Sequence, residues 1–105
     1  MGYLKAKKYE VIWLNSFKQE LSHIYHYITV KFNNHSIVKR FHKKVLNSLF
    51  YLSYYPNIYQ KIDYYKNVRK ITIDKYVVLY TIDETKKTVY VLHIFHGNQD
   101  YLNKI

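Results

Sequence analysis

The chain has 105 residues, 49% of them hydrophobic, and no Cys. That is one domain's worth of sequence with enough apolar material for a core, which excludes disorder, a disulfide scaffold and a thiolate metal site. Lys and Arg total 17 against 7 Asp and Glu, and the net charge of +10 points to a polyanion or an acidic partner.

The expected organisation is a single domain over residues 1–105, in the cytoplasm. No apolar run approaches the ~20 residues that cross a bilayer. Lys5, Lys7 and Lys8 are not followed by the apolar stretch of a signal peptide. Only two of the 17 cations are Arg, namely Arg40 and Arg69. A guanidinium grips phosphate or carboxylate through a planar fork and an ammonium does not, so these two positions carry more weight than the lysines.

Tyr9 to Leu14 alternates as a strand, with Tyr9, Val11 and Trp13 on one face. Ser16 and Gln19 have the form of a capping box for a first helix. Phe17, Leu21, Ile24 and Ile28 then make one apolar stripe. Phe32 to His35 breaks this helix, and Ser36 is placed to cap a second. Its stripe is Val38, Phe41, Val45, Leu49 and Leu52, with Lys39, Arg40, Lys43 and Lys44 on a basic face. Tyr54-Tyr55-Pro56 stops it, because the residue before Pro avoids the helical region. The short link between the helices predicts an antiparallel hairpin.

Asn57 to Asn67 reads as irregular and basic. Three strands follow, Val68 to Ile73, Tyr76 to Ile82 and Thr88 to His96, joined by links short enough for hairpins. Arg69, Ile71 and Ile73 share a face, and the middle strand is apolar on both faces, as a central strand should be. The predicted fold class is α+β in the order β-α-α-β-β-β. An antiparallel sheet is expected, the first strand joining the edge of a three-stranded meander and the helix hairpin packed on one face. The expected core includes Trp13, Phe17, Leu21, Phe41, Val45, Leu49, Val78, Tyr80, Val91 and Ile94. The tail from Asn98 to Ile105 is polar and reads as partly helical.

This order and three stretches within it resemble the RelE/ParE superfamily of type II toxin–antitoxin toxins. The first stretch is Val11-Ile12-Trp13 leading into Phe17-Lys18-Gln19-Glu20-Leu21. The second is Val68-Arg69-Lys70-Ile71 with the strand Tyr76 to Asp83. The third is Val91 to Tyr101, a last strand running into His96-Gly97 and then Asp100, as in ParE-type endings. The resemblance implies a growth-inhibiting toxin silenced by a cognate antitoxin, an acidic segment of which wraps the toxin. It also implies a toxin–antitoxin complex on operator DNA, no membrane partner and no cofactor.

Two targets stay open at this stage. A ParE-like toxin would act on DNA gyrase without being a nuclease. A RelE-like toxin would be a metal-independent endoribonuclease cutting mRNA on the ribosome. For the nuclease, the resemblance nominates Arg69, His96 and Tyr101: Arg69 to hold the scissile phosphate, His96 for proton transfer, Tyr101 to stack on a base or donate a proton. Lys61, Lys66, Arg69 and Gln99 are the nominated nucleic-acid or target-binding residues. The scarcity of Arg departs from RelE, and Gln99 stands where ParE commonly has Arg. A plainer role for Arg69 is an ion pair with Asp63, Asp74 or Asp100. Neither His23 with His26 nor His93 with His96 has metal-ligand spacing, so no metal site is expected. A third possibility is a non-toxic, basic nucleic-acid-binding module, which explains charge and aromatics but not the three stretches.

Overall fold

A computed structural model of the chain describes residues 8–63 and 67–98. The elements are β1 (Glu10–Trp13), α1 (Asn15–Phe32), α2 (His35–Tyr51), β2 (Lys61–Asp63), β3 (Val68–Ile73), β4 (Tyr76–Asp83) and β5 (Thr88–His96). They form one five-stranded sheet in the order β1-β5-β4-β3-β2. The meander β3-β4-β5 and the docking of the first strand on its edge are as the sequence predicts.

Two features differ from that expectation. The sheet is mixed, because β1 runs parallel to β5, pairing Glu10 with Thr88 through Trp13 with Val91. A fifth strand, β2, lies inside the stretch read as irregular and pairs antiparallel with β3. Three residues, Lys-Ile-Asp, are too few to show alternation, so this edge strand carries no period to read.

The helix hairpin covers one face. Phe17, Leu21 and Ile28 of α1 and Phe41, Val45 and Leu49 of α2 bury against Ile71, Ile73, Val78, Tyr80, Val91 and Ile94. All the residues forecast for the core are buried except Trp13, which is partly buried, its ring edge-on to Phe17 at 5.3 Å. Val68, Val77, Leu79 and Phe95 form a smaller cluster of buried residues on the opposite face. A bulge separates the pairs Leu79–His93 and Tyr80–Val91, leaving Leu92 as the extra residue on β5. It lets Val91 and Ile94, three apart, both face the helices.

Helix ends are capped differently from the sequence pattern. The residue before α1 is Leu14, with no side-chain cap, and Ser16 lies within the helix. The Ser16 hydroxyl instead donates to Leu92 O at 2.7 Å. Asn34, not Ser36, caps α2, its Oδ1 accepting the Ser36 N–H at 2.9 Å. Asn33 ends α1 in the left-handed region at φ 48°, a conformation that Asn tolerates better than most residues. Among the described residues, no helix is long and apolar enough to cross a membrane.

Candidate functional site

Of the nominated residues, Lys66, Gln99 and Tyr101 lie outside the described residues, as does the tail from 99 onward. Lys61 sits on β2, directly across from Arg69 of β3. Arg69 shares the helix-covered face with Ile71 and Ile73. Its Nη1 donates to Asn57 O at 3.0 Å and to Tyr59 O at 2.6 Å, and its Nε is buried without an acceptor. The guanidinium thus holds main-chain carbonyls of the segment before β2. Of the Asp partners in the plainer sequence reading, Asp74 pairs with Lys44, and Asp100 and the Asp63 side chain lie outside the described residues. Across the ladder, Tyr80 pairs with Arg69 and its hydroxyl donates to Pro56 O at 2.6 Å. Burial pushes the Tyr80 phenol well above its ordinary pKa, with the Arg69 charge pulling the other way.

His96 ends β5, paired with Tyr76 at the start of β4. The two rings meet edge-on, centroids 5.6 Å apart. Nδ1 of His96 accepts the Asn98 N–H at 3.2 Å, so the neutral ring carries its proton on Nε2. Just beyond, the Gly97 N–H donates to Lys75 O at 2.7 Å, and a Cβ at Gly97 would stand 3.2 Å from that oxygen. This close approach ties the end of β5 to the β3–β4 turn and frames His96.

Arg69 and His96 are far apart. The row Ile73–Tyr76–His96 lies four residues along β3 from Arg69 and two strands across. At ~3.3 Å per residue and ~4.8 Å per strand, their backbones are roughly 16 Å apart. The structure does not bring the two nominated residues together.

His96 belongs to a different neighbourhood. Two grooves, of about 440 and 420 Å³, meet at Tyr27, Tyr76 and His96. The first runs between α1 and β5, past Glu20 and His23. The second opens between the helices and the β3–β4 turn, past Arg40, Lys44 and Lys75. Desolvation raises the Tyr76 pKa, reinforced by Tyr27 and opposed by Lys31.

Sequence reasoning missed Glu20. β1 stops pairing at Trp13 and Val91, and side chains of α1 continue along the edge of β5. Beside the Ser16 bond to Leu92 O, Glu20 Oε1 accepts the Ile94 N–H at 3.1 Å, and both carboxylate oxygens lie 3.1 Å from His93 Nδ1. The pair is separated by 73 residues, so no local signal marks it.

The layout is that of a RelE/ParE-type α+β domain, a helix hairpin on one face of a five-stranded mixed sheet. The family model for the ParE toxin of type II toxin–antitoxin systems (parDE) matches residues 11–101. The chain belongs to this ParE toxin family. Among solved structures it is similar to the chromosomal ParDE toxin–antitoxin system of P. aeruginosa, at 14% identity and TM-score 0.72, over 87% of this chain and 98% of that one. It is also similar to the RelBE2 toxin–antitoxin complex of Mycobacterium tuberculosis, at 20% identity and TM-score 0.61, over 85% and 98%. The archaeal RelE–RelB complex of Pyrococcus horikoshii matches at 15% identity and TM-score 0.61, over 88% and 98%. At these identities the likeness is one of fold. No curated protein matches the chain in sequence.

Proposed function

We propose that this ParE-family toxin arrests growth by acting on DNA gyrase in the cytoplasm rather than by cutting RNA, and that a cognate acidic antitoxin silences it. One observation carries the choice of target. Arg69 holds the carbonyls of Asn57 and Tyr59 through Nη1 and stands roughly 16 Å from His96 by strand geometry. Cleavage of RNA by attack of a 2′-OH needs a cationic clamp and a proton-transfer group on the same phosphate, and the separation of the nominated clamp from the nominated proton-transfer group supports the non-nuclease reading.

In this reading Arg69 positions the segment from Pro56 to Tyr59 beside Lys61. That segment and Lys61 contact the target, and Lys66 and Gln99, outside the described residues, are further proposed target-binding residues. The net charge of +10 speeds encounter with an acidic antitoxin, and the resulting complex would sit on operator DNA. The competing reading, cleavage of mRNA on the ribosome, draws on His96, whose groove is rimmed by Arg40, Lys44 and Lys75.

The test is inducible expression of the chain, alone and beside its neighbouring reading frame, together with a translation reaction read by primer extension. We expect growth arrest relieved by the neighbour, and intact message. Cuts in the message at codon positions would replace the gyrase reading with the nuclease one. Growth unaffected by the folded protein would leave a nucleic-acid-binding module.

A further inference from the structure

The two edges of the sheet are guarded differently. β2, at one edge, has three residues, carries Lys61 and Asp63, and pairs with β3 through a register shift. Short length, charge and irregularity are the devices that keep an edge strand from pairing with another chain. β1, at the other edge, is regular, carries none of the chain's 17 cations, and has Glu10 as its one charge. Glu10 and Leu14 donate their N–H groups to Lys87 O and Val91 O, on the β5 side. By alternation the Val11 and Trp13 N–H groups point away from β5, along the open edge.

The surface beside this edge is apolar. Residues 11–17 and 45–60 contain no Asp, Glu, Lys or Arg. The two stretches meet in the fold, where Val11 and Trp13 of β1 and Leu46, Leu49, Phe50 and Ser53 of α2 and the turn after it line a depression of about 200 Å³. Phe50 is 63% exposed and Leu46 41%. Phe50 continues into a row of rings, edge-on to Tyr54 at 5.5 Å, with Tyr54 and Tyr55 at 6.4 Å. The cations of α2, namely Lys39, Arg40, Lys43 and Lys44, all precede Leu46. Large apolar side chains left open together mark a surface that is covered in use.

We propose that this face binds a second copy of the chain, the two β1 strands pairing antiparallel about Ile12 and the two α2 ends packing Leu46 and Phe50 against each other. Such a two-fold contact is self-complementary, because each copy brings the same edge and the same apolar patch. In the register centred on Ile12, Val11 of one copy faces Trp13 of the other and Glu10 faces Leu14, so no two charges stand opposite. Charge also decides against other occupants. Two copies of a +10 chain repel, and a face built from uncharged stretches is where they can approach. A nucleic acid would find no cation in these stretches for its phosphates, and an acidic segment none for its carboxylates. The inference does not rest on the choice of target.

The experiment is sedimentation equilibrium on the whole chain with no other protein present, over roughly a hundredfold range of concentration, with amide exchange measured on the same samples. Wild type is compared with Phe50→Lys, Leu46→Lys and Val30→Lys. The last adds the same charge at an apolar position of α1 that is 67% exposed. We expect a monomer–dimer equilibrium in wild type, about tenfold or more weaker in Phe50→Lys and Leu46→Lys and within about twofold of wild type in Val30→Lys. Protection of the Val11 and Trp13 amides should rise with concentration in wild type and Val30→Lys. Equal thermal midpoints at the lowest concentration, where monomers dominate, establish that the loss is at the contact. A monomer at every concentration would leave the face to a different protein and overturn the inference. Equal weakening in all three variants would reduce the effect to net charge and overturn it too. So would a dimer whose Val11 and Trp13 amides exchange at a rate independent of concentration, because its contact would lie elsewhere.

Discussion

Arg69 and Tyr80 stand side by side across the β3–β4 ladder and hold the same stretch of chain, Tyr80 through Pro56 O and Arg69 through Asn57 O and Tyr59 O. Three carbonyls within four residues are thus satisfied by two side chains from the sheet. The buried phenol and the partly buried guanidinium fix where the chain leaves α2 and how it enters β2.

Removing either side chain should therefore loosen the loop before it changes the sheet. Arg69→Ala and Tyr80→Phe should each cost about 1–3 kcal/mol in denaturant unfolding, the range for stranding buried hydrogen-bonding groups. The double variant should lose less than the two single losses together, because the residues share one segment. Toxicity should fall for both variants, with proteolytic nicking near Ile58 rising in parallel. A folded Arg69→Ala protein that remained fully toxic would remove Arg69 and its loop from the site.

The α1 side chains along β5 predict a local signature. Glu20→Ala strips the acceptor from the Ile94 N–H and the partner from His93. Amide exchange at Ile94 should accelerate well beyond the change at Val89, which lies in the part of β5 that β1 pairs with. Glu20→Gln keeps an oxygen acceptor and should restore most of the protection. Equal exchange in all three proteins would mean that the carboxylate does not hold this edge.

Burial raises the Tyr25 pKa from 10.0 to about 12, and it raises those of Tyr80 and Tyr76 as well. Each raised pKa favours the neutral phenol in the folded state. The corresponding stability is complete below the unfolded value of 10.0 and drains away as pH climbs toward about 12. Denaturant midpoints should hold steady up to about pH 9 and fall steeply above pH ~10. Tyr25→Phe should flatten part of that fall.

Leu49→Ala, at a position 2% exposed, should cost roughly 2–5 kcal/mol. It should abolish toxicity by unfolding rather than by altering a contact with the target. It is the folding control against which Arg69→Ala is read.

The period of the side chains made most of this fold readable in advance. Both helix stripes and the boundaries of β3 and β5 follow from spacing alone, because one face of each element had to be buried. Where a residue's partner lay far along the chain, reading failed. Ser16 looked like a cap, yet its hydroxyl bonds a carbonyl 76 residues away. The bulge at Leu92 was hidden because β5 is apolar on both sides of it. Arg69 stood out by its rarity, which is a property of sequence; the carbonyls that claim it are a property of the loop path. Arg40 was equally rare, and only the fold shows that it borders an apolar groove.

Action on gyrase is tested by adding the purified toxin to DNA gyrase and relaxed plasmid. We expect lost supercoiling and double-strand cleavage complexes trapped on the plasmid, both prevented by prior addition of the antitoxin. Supercoiling at the normal rate, with no trapped complexes, from protein that still arrests growth would contradict it.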